Sequence, residues 1–364
     1  LVGAGLWGPA LAQENALGSN LRGLLEYARA QSPELSAMRR EADAAAARVQ
    51  PAGALPDPVL RVELMNVSEW FDETSSLLPW RLGATKYTLM QNLPGWGKRD
   101  LKRDAAEADA TQARARTAAT WAELALRIKT TFAEYYWAAG NEHLTREVLD
   151  LTSRLERIAQ ARYAGGLAAQ QDAIRAQLEQ TAMRSELIAL DNQKRQLRAR
   201  MNALLARDGS EPLADPQALR PVPTLATTDA TGLAERARSN NPALQAEQAR
   251  LAAAQKSRDL AYRNRGPDFQ VGVSPTVLRS GITSWGLMLE MNLPLQQETR
   301  RSQEQEAQAM VSAAQSRAEA LSNQLLGDLA GQLAAFDAAR RTEALVATQQ
   351  LPQSNSSLQS ALAA

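Results

Sequence analysis

The sequence predicts a mainly α-helical protein with four amphipathic β-strands, written as a tandem duplication of helix, strand pair and very long helix. Three observations carry this fold class. First, "LLEYARAQSPELSAMRREADAAAARVQ" (24–50) aligns without gaps on "LAERARSNNPALQAEQARLAAAQKSRD" (233–259), with Pro33 over Pro242, and "LMQNLPGWGKR" (89–99) answers "LEMNLPLQQET" (289–299). A repeat this long is a duplication, and it organises everything else. Second, each copy holds two segments of strict apolar-polar alternation. Third, the remainder has helical periodicity over lengths that no small globular domain uses.

Composition agrees with long packed helices. Hydrophobic residues make up 45% of the chain, but only 5% are aromatic, and much of the apolar share is alanine set among charges and glutamines. Forty-one basic residues against forty acidic ones leave a net charge of +1, which gives no reason to expect nucleic acid as a partner. The absence of cysteine excludes disulfides, thiol nucleophiles and thiolate metal sites.

The elements follow in chain order. "LVGAGLWGPALAQE" is small and apolar and ends in an Ala-x-Ala arrangement at Ala10 and Ala12, so residues 1–12 read as the remnant of a secretory signal peptide. The first repeat spans 13–206: a helix, a strand pair at about 58–67 and 82–92, and a helical hairpin with its tip at about 163–168. Pro56 and Pro58 precede the first strand and Pro94 follows the second, places that proline tolerates. From Gly97 to Tyr163 there is no proline, and Leu144, Val148, Leu151, Leu155 and Ile158 recur at steps of four and three. Beyond the glycines, Met183, Leu187, Leu190, Lys194, Leu197, Met201 and Leu204 keep that step with one charged intruder. Both stripes read as coiled-coil seams. At about 1.5 Å per residue the first pattern would extend roughly 100 Å. Gly165 and Gly166 supply the reversal, because glycine accepts the positive φ that ends a helix. Residues 207–232 are Pro-rich and aperiodic, a linker. The second repeat, 233–364, has strands at about 268–278 and 282–292, a proline, Pro352, that should kink its last helix, and no second glycine tip before the sequence ends. A returning helix for the second copy is therefore missing, and weak or loose assembly at that end is expected.

The strands agree on two faces. Leu60, Val62, Leu64, Tyr87, Leu89, Phe269, Val271, Val273, Trp285, Leu287 and Leu289 form one, and Arg61, Glu63, Lys86 and Glu290 stand on the other. Strands of about ten residues with one oily and one polar face suit a membrane-spanning β-barrel, lipid outside and water inside. The apolar set is then lipid-facing. The four charged residues belong in the lumen, since a basic residue on the lipid face costs roughly 2–4 kcal/mol at mid-membrane. Four strands cannot close a barrel with a lumen, which needs about eight, so several chains must share one. A four-stranded sheet lying on its helices is the competing arrangement. No stretch is apolar for long enough to form a transmembrane helix. Trp70, Phe71, Trp80 and Tyr87 fit an interfacial belt around the long first loop, about Val67 to Arg81, and the second loop, around Arg279 to Ile282, is short. Lys98, Arg99, Lys102 and Arg103 follow the second strand and suit a membrane surface or a solvated helix start.

These features together resemble the TolC family of outer-membrane efflux proteins. The resemblance lies in the duplicated order of elements, in "QSPELSAMR" with "NNPALQAEQ", in "QNLPGWGKR" with "MNLPL", and in "RYAGGLAAQQDAIRAQ", which is similar to the family's hairpin tip with Tyr163, Gly166, Asp172, Ile174, Ala176 and Gln177 in place. It implies a homotrimer in which each protomer gives four strands to a shared twelve-stranded barrel and its long helices to a periplasmic α-barrel tunnel. It implies an outer-membrane exit duct of a Gram-negative tripartite pump. The expected partners are a periplasmic adaptor, an inner-membrane transporter of the RND type, and outer-membrane lipids. The tip residues Arg162, Tyr163, Gly165, Gly166, Leu167 and Asp172 are then adaptor contacts. The Pro94–Arg99 version of its motif is similar to the heavy-metal branch, which serves metal-cation exporters. Met65, Met90, Met288 and Met291 near the strands read as packing residues rather than as a soft-cation site.

No catalytic constellation accompanies this pattern. There is no phosphate-binding loop, no nucleophile with a partner for the lone His143, and no credible acid pair, so neither enzyme activity nor a cofactor is expected. His143 reads as structural. A soluble periplasmic coiled-coil adaptor or scaffold is the competing functional class.

Overall fold

Proline decides where the first helix of each copy breaks. In the computed structural model, described for residues 17–65, 84–167, 169–221, 230–278 and 281–363, the chain opens with α1 (Leu21–Gln31) and α2 (Pro33–Ala47) rather than one continuous helix. Ser32 between them is extended, and its Oγ accepts from the Leu35 N–H. The second copy breaks at the matching place, where Asn241 caps two N–H groups ahead of Pro242. Proline at the first helical position loses no hydrogen bond, while the cap residue must leave the helical region. After α2 come α3 (Val49–Gly53), β1 (Val59–Met65), β2 (Ala84–Leu93), α4 (Lys98–Ala164) and α5 (Gln170–Leu204). The second copy supplies α6 (Ala230–Asn240), α7 (Pro242–Arg263), β3 (Phe269–Leu278), β4 (Gly281–Met291), α8 (Gln297–Leu345) and α9 (Leu351–Ala363). Ahead of Pro352 the chain widens into a π-helical turn, Val346–Gln350, so the missing proline N–H is absorbed by a local change of pitch. The signal-peptide segment, the first loop with Trp70, Phe71 and Trp80, and Arg279 of the second loop lie outside the described residues.

The chain divides into two compact units, Leu1–Arg39 with Thr117–Thr227, and Arg40–Arg116 with Thr228–Ala364. The first is built around Leu24 and Ala28 of α1, Leu124, Ile128, Phe132, Tyr135 and Ala138 of α4, and Leu197 and Met201 of α5. Each large side chain buried there contributes about 1.5–3 kcal/mol. The start of the Pro-rich segment belongs to this core. Leu213 is buried in it, and the Ala214 and Gln217 N–H groups donate to the Leu17 and Ser19 carbonyls at 2.9 and 3.1 Å.

Lys194, the charged intruder in the α5 stripe, is held by two carboxylates. Its Nζ lies 2.9 Å from Glu142, whose side chain is only 6% exposed, and 2.7 Å from Asp215, which also accepts from Tyr135 Oη at 2.8 Å. Arg146 gives Glu142 a second cation one turn along α4. Burial works against the Asp215 carboxylate, but Lys194 and Tyr135 outweigh it and hold its pKa below the usual range. Burial also opposes the Lys194 ammonium, and the two carboxylates outweigh that too and push its pKa up.

The distal part of α4 turns a different stripe toward α5 than apolar periodicity suggests. Tyr135, Ala138, Glu142 and Thr152 are buried, Thr145 and Leu149 half-buried, and Ser153 accepts from Gln180 of α5 at 3.0 Å. This seam also steps by three and four, but it is mostly small and polar. Leu144, Val148, Leu151, Leu155 and Ile158 lie instead on an exposed face of α4, with Leu151 58% exposed. On α5, Ile174, Leu178 and Ile188 are exposed as well. His143 is an exposed residue with Glu147 3.2 Å away, not part of the core.

In the second unit, α7 and α8 pack on each other, with Ala253, Val311 and Ala314 buried. The sheet runs in the order β1-β2-β3-β4, all antiparallel, so β2 and β3 join the two copies in its centre.

The charged network of the first unit sets an alkaline limit. Burial, then the bond to Asp215, pushes the Tyr135 hydroxyl up to about 12 from 10.0, and Lys194 is raised above 10.5. Both groups stabilise the fold fully below about pH 10 and lose that contribution as pH climbs through their folded-state values. The thermal midpoint should therefore fall between about pH 10 and 12, and Tyr135→Phe should remove about 2 kcal/mol of that dependence, read by circular dichroism across the range.

Candidate functional site

Register makes the sheet two-faced. The rows Leu60↔Leu89↔Val273↔Leu287 and Val271↔Leu289, together with Val62↔Tyr87, collect the apolar set on one side. Trp285 stands opposite Pro275, and Phe269 between Leu93 and Met291, on the same side. On the other side Glu63 faces Lys86 across the ladder and Glu290 faces Gln270. Arg61, Glu63 and Lys86 form an ionic ladder at 3.8 and 3.9 Å.

Exposure on the two faces is the reverse of that in a water-soluble sheet. Leu287 is 85% exposed and Leu289 72%, and Leu60, Val62, Leu89, Val273 and Trp285 are exposed too. Leu64 and Val271 reach 36%, while Tyr87 and Phe269 are half-buried and Thr85 is the one buried residue on that side. At the centre of the polar side Met90, Thr88 and Ser274 are enclosed, at 2–3%. Gly272 lies between Met90 and Met288, where an added Cβ would come within 3.2–3.3 Å of both side chains. Met90 and Met288 thus pack over a glycine on the polar face, and Met65 lies on that face as well. Met291 is on the apolar face. Among the described residues no cluster of histidine or carboxylate ligands has metal-binding geometry. The outer strands β1 and β4 are exposed along most of their length, and among the described residues each has one unpaired backbone edge.

The junction between strands and helices explains the motif "PGWGKR". Asp268, just ahead of β3, accepts the Gly95 N–H at 2.7 Å and the Lys98 ammonium at 2.8 Å, and Lys98 also reaches the Gly266 carbonyl. The Lys98 side chain is 5% exposed. Gly95 must be glycine, because a Cβ there would meet the Pro267 carbonyl at 2.5 Å. Burial opposes the Asp268 carboxylate, yet Lys98 and Gly95 outweigh it and keep its pKa below the ordinary range. Arg99 donates to the Gly53 carbonyl through Nε and Nη2. Lys98 and Arg99 are thus fold-holding residues, which the reading of a basic run at a membrane surface or solvated helix start missed. Their role was hidden because the partners are remote, 170 positions away for Lys98 and 46 for Arg99.

The hairpin tip is a Schellman turn. Leu167 N–H donates to the Arg162 carbonyl and Gly166 N–H to that of Tyr163, with Gly166 at φ +71°. Gly165 N–H closes on Ala161. Arg162, Tyr163, Leu167 and Asp172 are exposed around it, Leu167 by 74%. A Cβ on Gly166 meets nothing within 4 Å, so the glycine answers to backbone conformation alone.

The model of the outer membrane efflux protein family matches residues 24–207, just over half of the chain. The chain belongs to this family. Its members are outer-membrane channels. Among solved structures, a membrane protein from Pseudomonas aeruginosa has a TM-score of 0.77 at 20% identity, covering 94% of this chain and 83% of its own. The outer membrane protein VceC from Vibrio cholerae gives 0.73 at 18%, covering 92% and 83%. CusC gives 0.70 at 15%, covering 93% and 81%. At such identities the likeness is one of fold, and it extends over both copies of the repeat. No curated protein sequence matches the chain.

Removing the junction carboxylate should leave the Lys98 ammonium buried with one carbonyl for company. Asp268→Ala is expected to cost about 2–3 kcal/mol, seen as a lower thermal midpoint, whereas Asp268→Asn, which can still accept from Gly95, should cost less.

Proposed function

We propose that three copies of this chain form the exit duct of a tripartite efflux pump, a passive conduit from the periplasm to the exterior. The observation that carries the reading is the inverted sheet, whose leucines and tryptophan face outward while its polar centre is enclosed. Lipid on the outside satisfies the first and a water-filled lumen the second. Four strands cannot enclose a lumen, and the free edges of β1 and β4 run antiparallel, so β4 of one copy can add to β1 of the next until the ring closes. In this reading the apolar face of the sheet meets lipid, and Arg61, Glu63, Lys86 and Glu290 line the lumen. The exposed stripe Leu144–Ile158 and its counterpart on α5 meet neighbouring helices in a tunnel wall. The tip around Gly166 docks a periplasmic adaptor that links the duct to an inner-membrane RND transporter. Heavy-metal cations are the proposed cargo, supported by the Pro94–Arg99 form of the junction motif.

Expression with a secretory leader, followed by fractionation, tests the central claim. A heat-resistant oligomer in the outer-membrane fraction that conducts ions in a planar bilayer is the expected result, and a soluble periplasmic product would point to a coiled-coil scaffold instead. Leu151→Glu, on the exposed stripe, should lower the heat resistance of the oligomer while leaving the isolated chain helical by circular dichroism. At the tip, Leu167→Asp should abolish efflux in cells at least tenfold while conductance of the purified protein is unchanged. Normal efflux by that variant would remove the tip from the docking site.

A further inference from the structure

At the foot of the sheet, where strands join helices, the chain holds a cavity of about 440 Å³. Trp96 and Lys98 line one side, Tyr262, Arg263 and Arg265 the other, and Phe269 the sheet side. Three features of it leave binding capacity unused by the fold. Trp96 is 91% exposed, although the turn that carries it is fixed through its backbone. Arg263 donates from Nε to the Trp96 carbonyl at 2.8 Å, and no carboxylate pairs with its guanidinium among the described residues. Phe269 belongs to the lowest row of the apolar face, between Leu93 and Met291, and Leu293 and Leu295 just beyond β4 are exposed. The cavity is therefore continuous with the oily face.

The charges around it nearly cancel. Lys98 is matched by Asp268, and Arg265 by Glu304, with which it makes a two-point ion pair. Among the residues that line the cavity, one positive charge, that of Arg263, is left over beside an exposed indole. We propose that this cavity takes the headgroup of a phospholipid from the leaflet on the helix side of the membrane. Arg263 binds the single negative charge of the phosphodiester, for which a planar guanidinium is suited. Trp96 lies at the glycerol level, where tryptophan is favoured, and an acyl chain follows Phe269 onto the apolar face. The volume is that of an ordinary small-ligand site. The inference rests on the reading that the apolar face meets lipid.

Two measurements on the full-length oligomer test it. In vesicles of phosphatidylethanolamine and phosphatidylglycerol brominated at different depths, the difference between wild type and Trp96→Phe isolates the emission of Trp96. Quenching should be strongest with bromine near the acyl carbonyl. In native mass spectrometry of delipidated protein titrated with phosphatidylglycerol, wild type should retain lipid, with Arg263→Gln weakening retention about tenfold, or ~1.4 kcal/mol, and Trp96→Ala weakening it as well. If the protein inserts and conducts but Trp96 is unquenched and Arg263→Gln retains lipid like wild type, the site is covered by a neighbouring copy and this proposal falls alone. Failure to insert or conduct would overturn the duct reading along with it.

Discussion

The ion pair between Lys98 and Asp268 is the contact on which the sheet depends. It joins the end of β2 to the start of β3, and through them the two copies of the repeat, at the point where Leu93 lies opposite Phe269. Because side chains alternate along a strand, a slip of one residue there would send every leucine of β3 and β4 to the opposite face. Glycine at 95 lets the two turns approach, and the buried ammonium fixes them. The second copy has no such lysine lock: its "NLPLQQET" lacks both the glycines and the lysine, and just past β4 the Asn292 N–H donates to the Asp268 carbonyl. One lock at the seam of the duplication therefore sets the register for both hairpins.

Much of the fold was legible because its signals are short in range. Alternation announced the four strands and sorted their faces, since period two requires only neighbours. Prolines and glycines marked the breaks, and at the tip glycines Gly166 has φ +71°. The helical seams were harder. Apolar counting found the α5 stripe, whose Leu190, Leu197 and Met201 are buried, but on distal α4 it found Leu144–Ile158, whereas that part of α4 packs through alanine, threonine and a buried glutamate. Such a seam is invisible to hydrophobicity because its stability comes from close approach and from paired charge. The apolar stripe of distal α4 is left exposed.

Lys194 shows the same limit from the other side. In the sequence it reads as an interruption of the stripe, with nothing to show what it answers. Glu142 and Asp215 are far away in the chain, and only packing brings them within 3 Å of one ammonium. Likewise the basic run after Pro94 looked like surface charge, because a cation bound to a distant carboxylate or carbonyl has the same local sequence as a solvated one. Charged residues are hard to read in this sequence wherever their partners are remote, whereas on the strands a partner such as Lys86 for Glu63 belongs to the same hairpin.

The central pairing of β2 with β3 has a further consequence for assembly. A ring made of separate hairpins would need an encounter between molecules at every second strand boundary, each slowed by dilution. Joining two hairpins in one chain converts half of those encounters into events within a molecule, whose effective concentration does not fall when the protein is scarce. In the proposed ring the duplication would thus lower the kinetic order of closure and leave one kind of boundary between chains, β4 against β1, at which a wrong neighbour could enter.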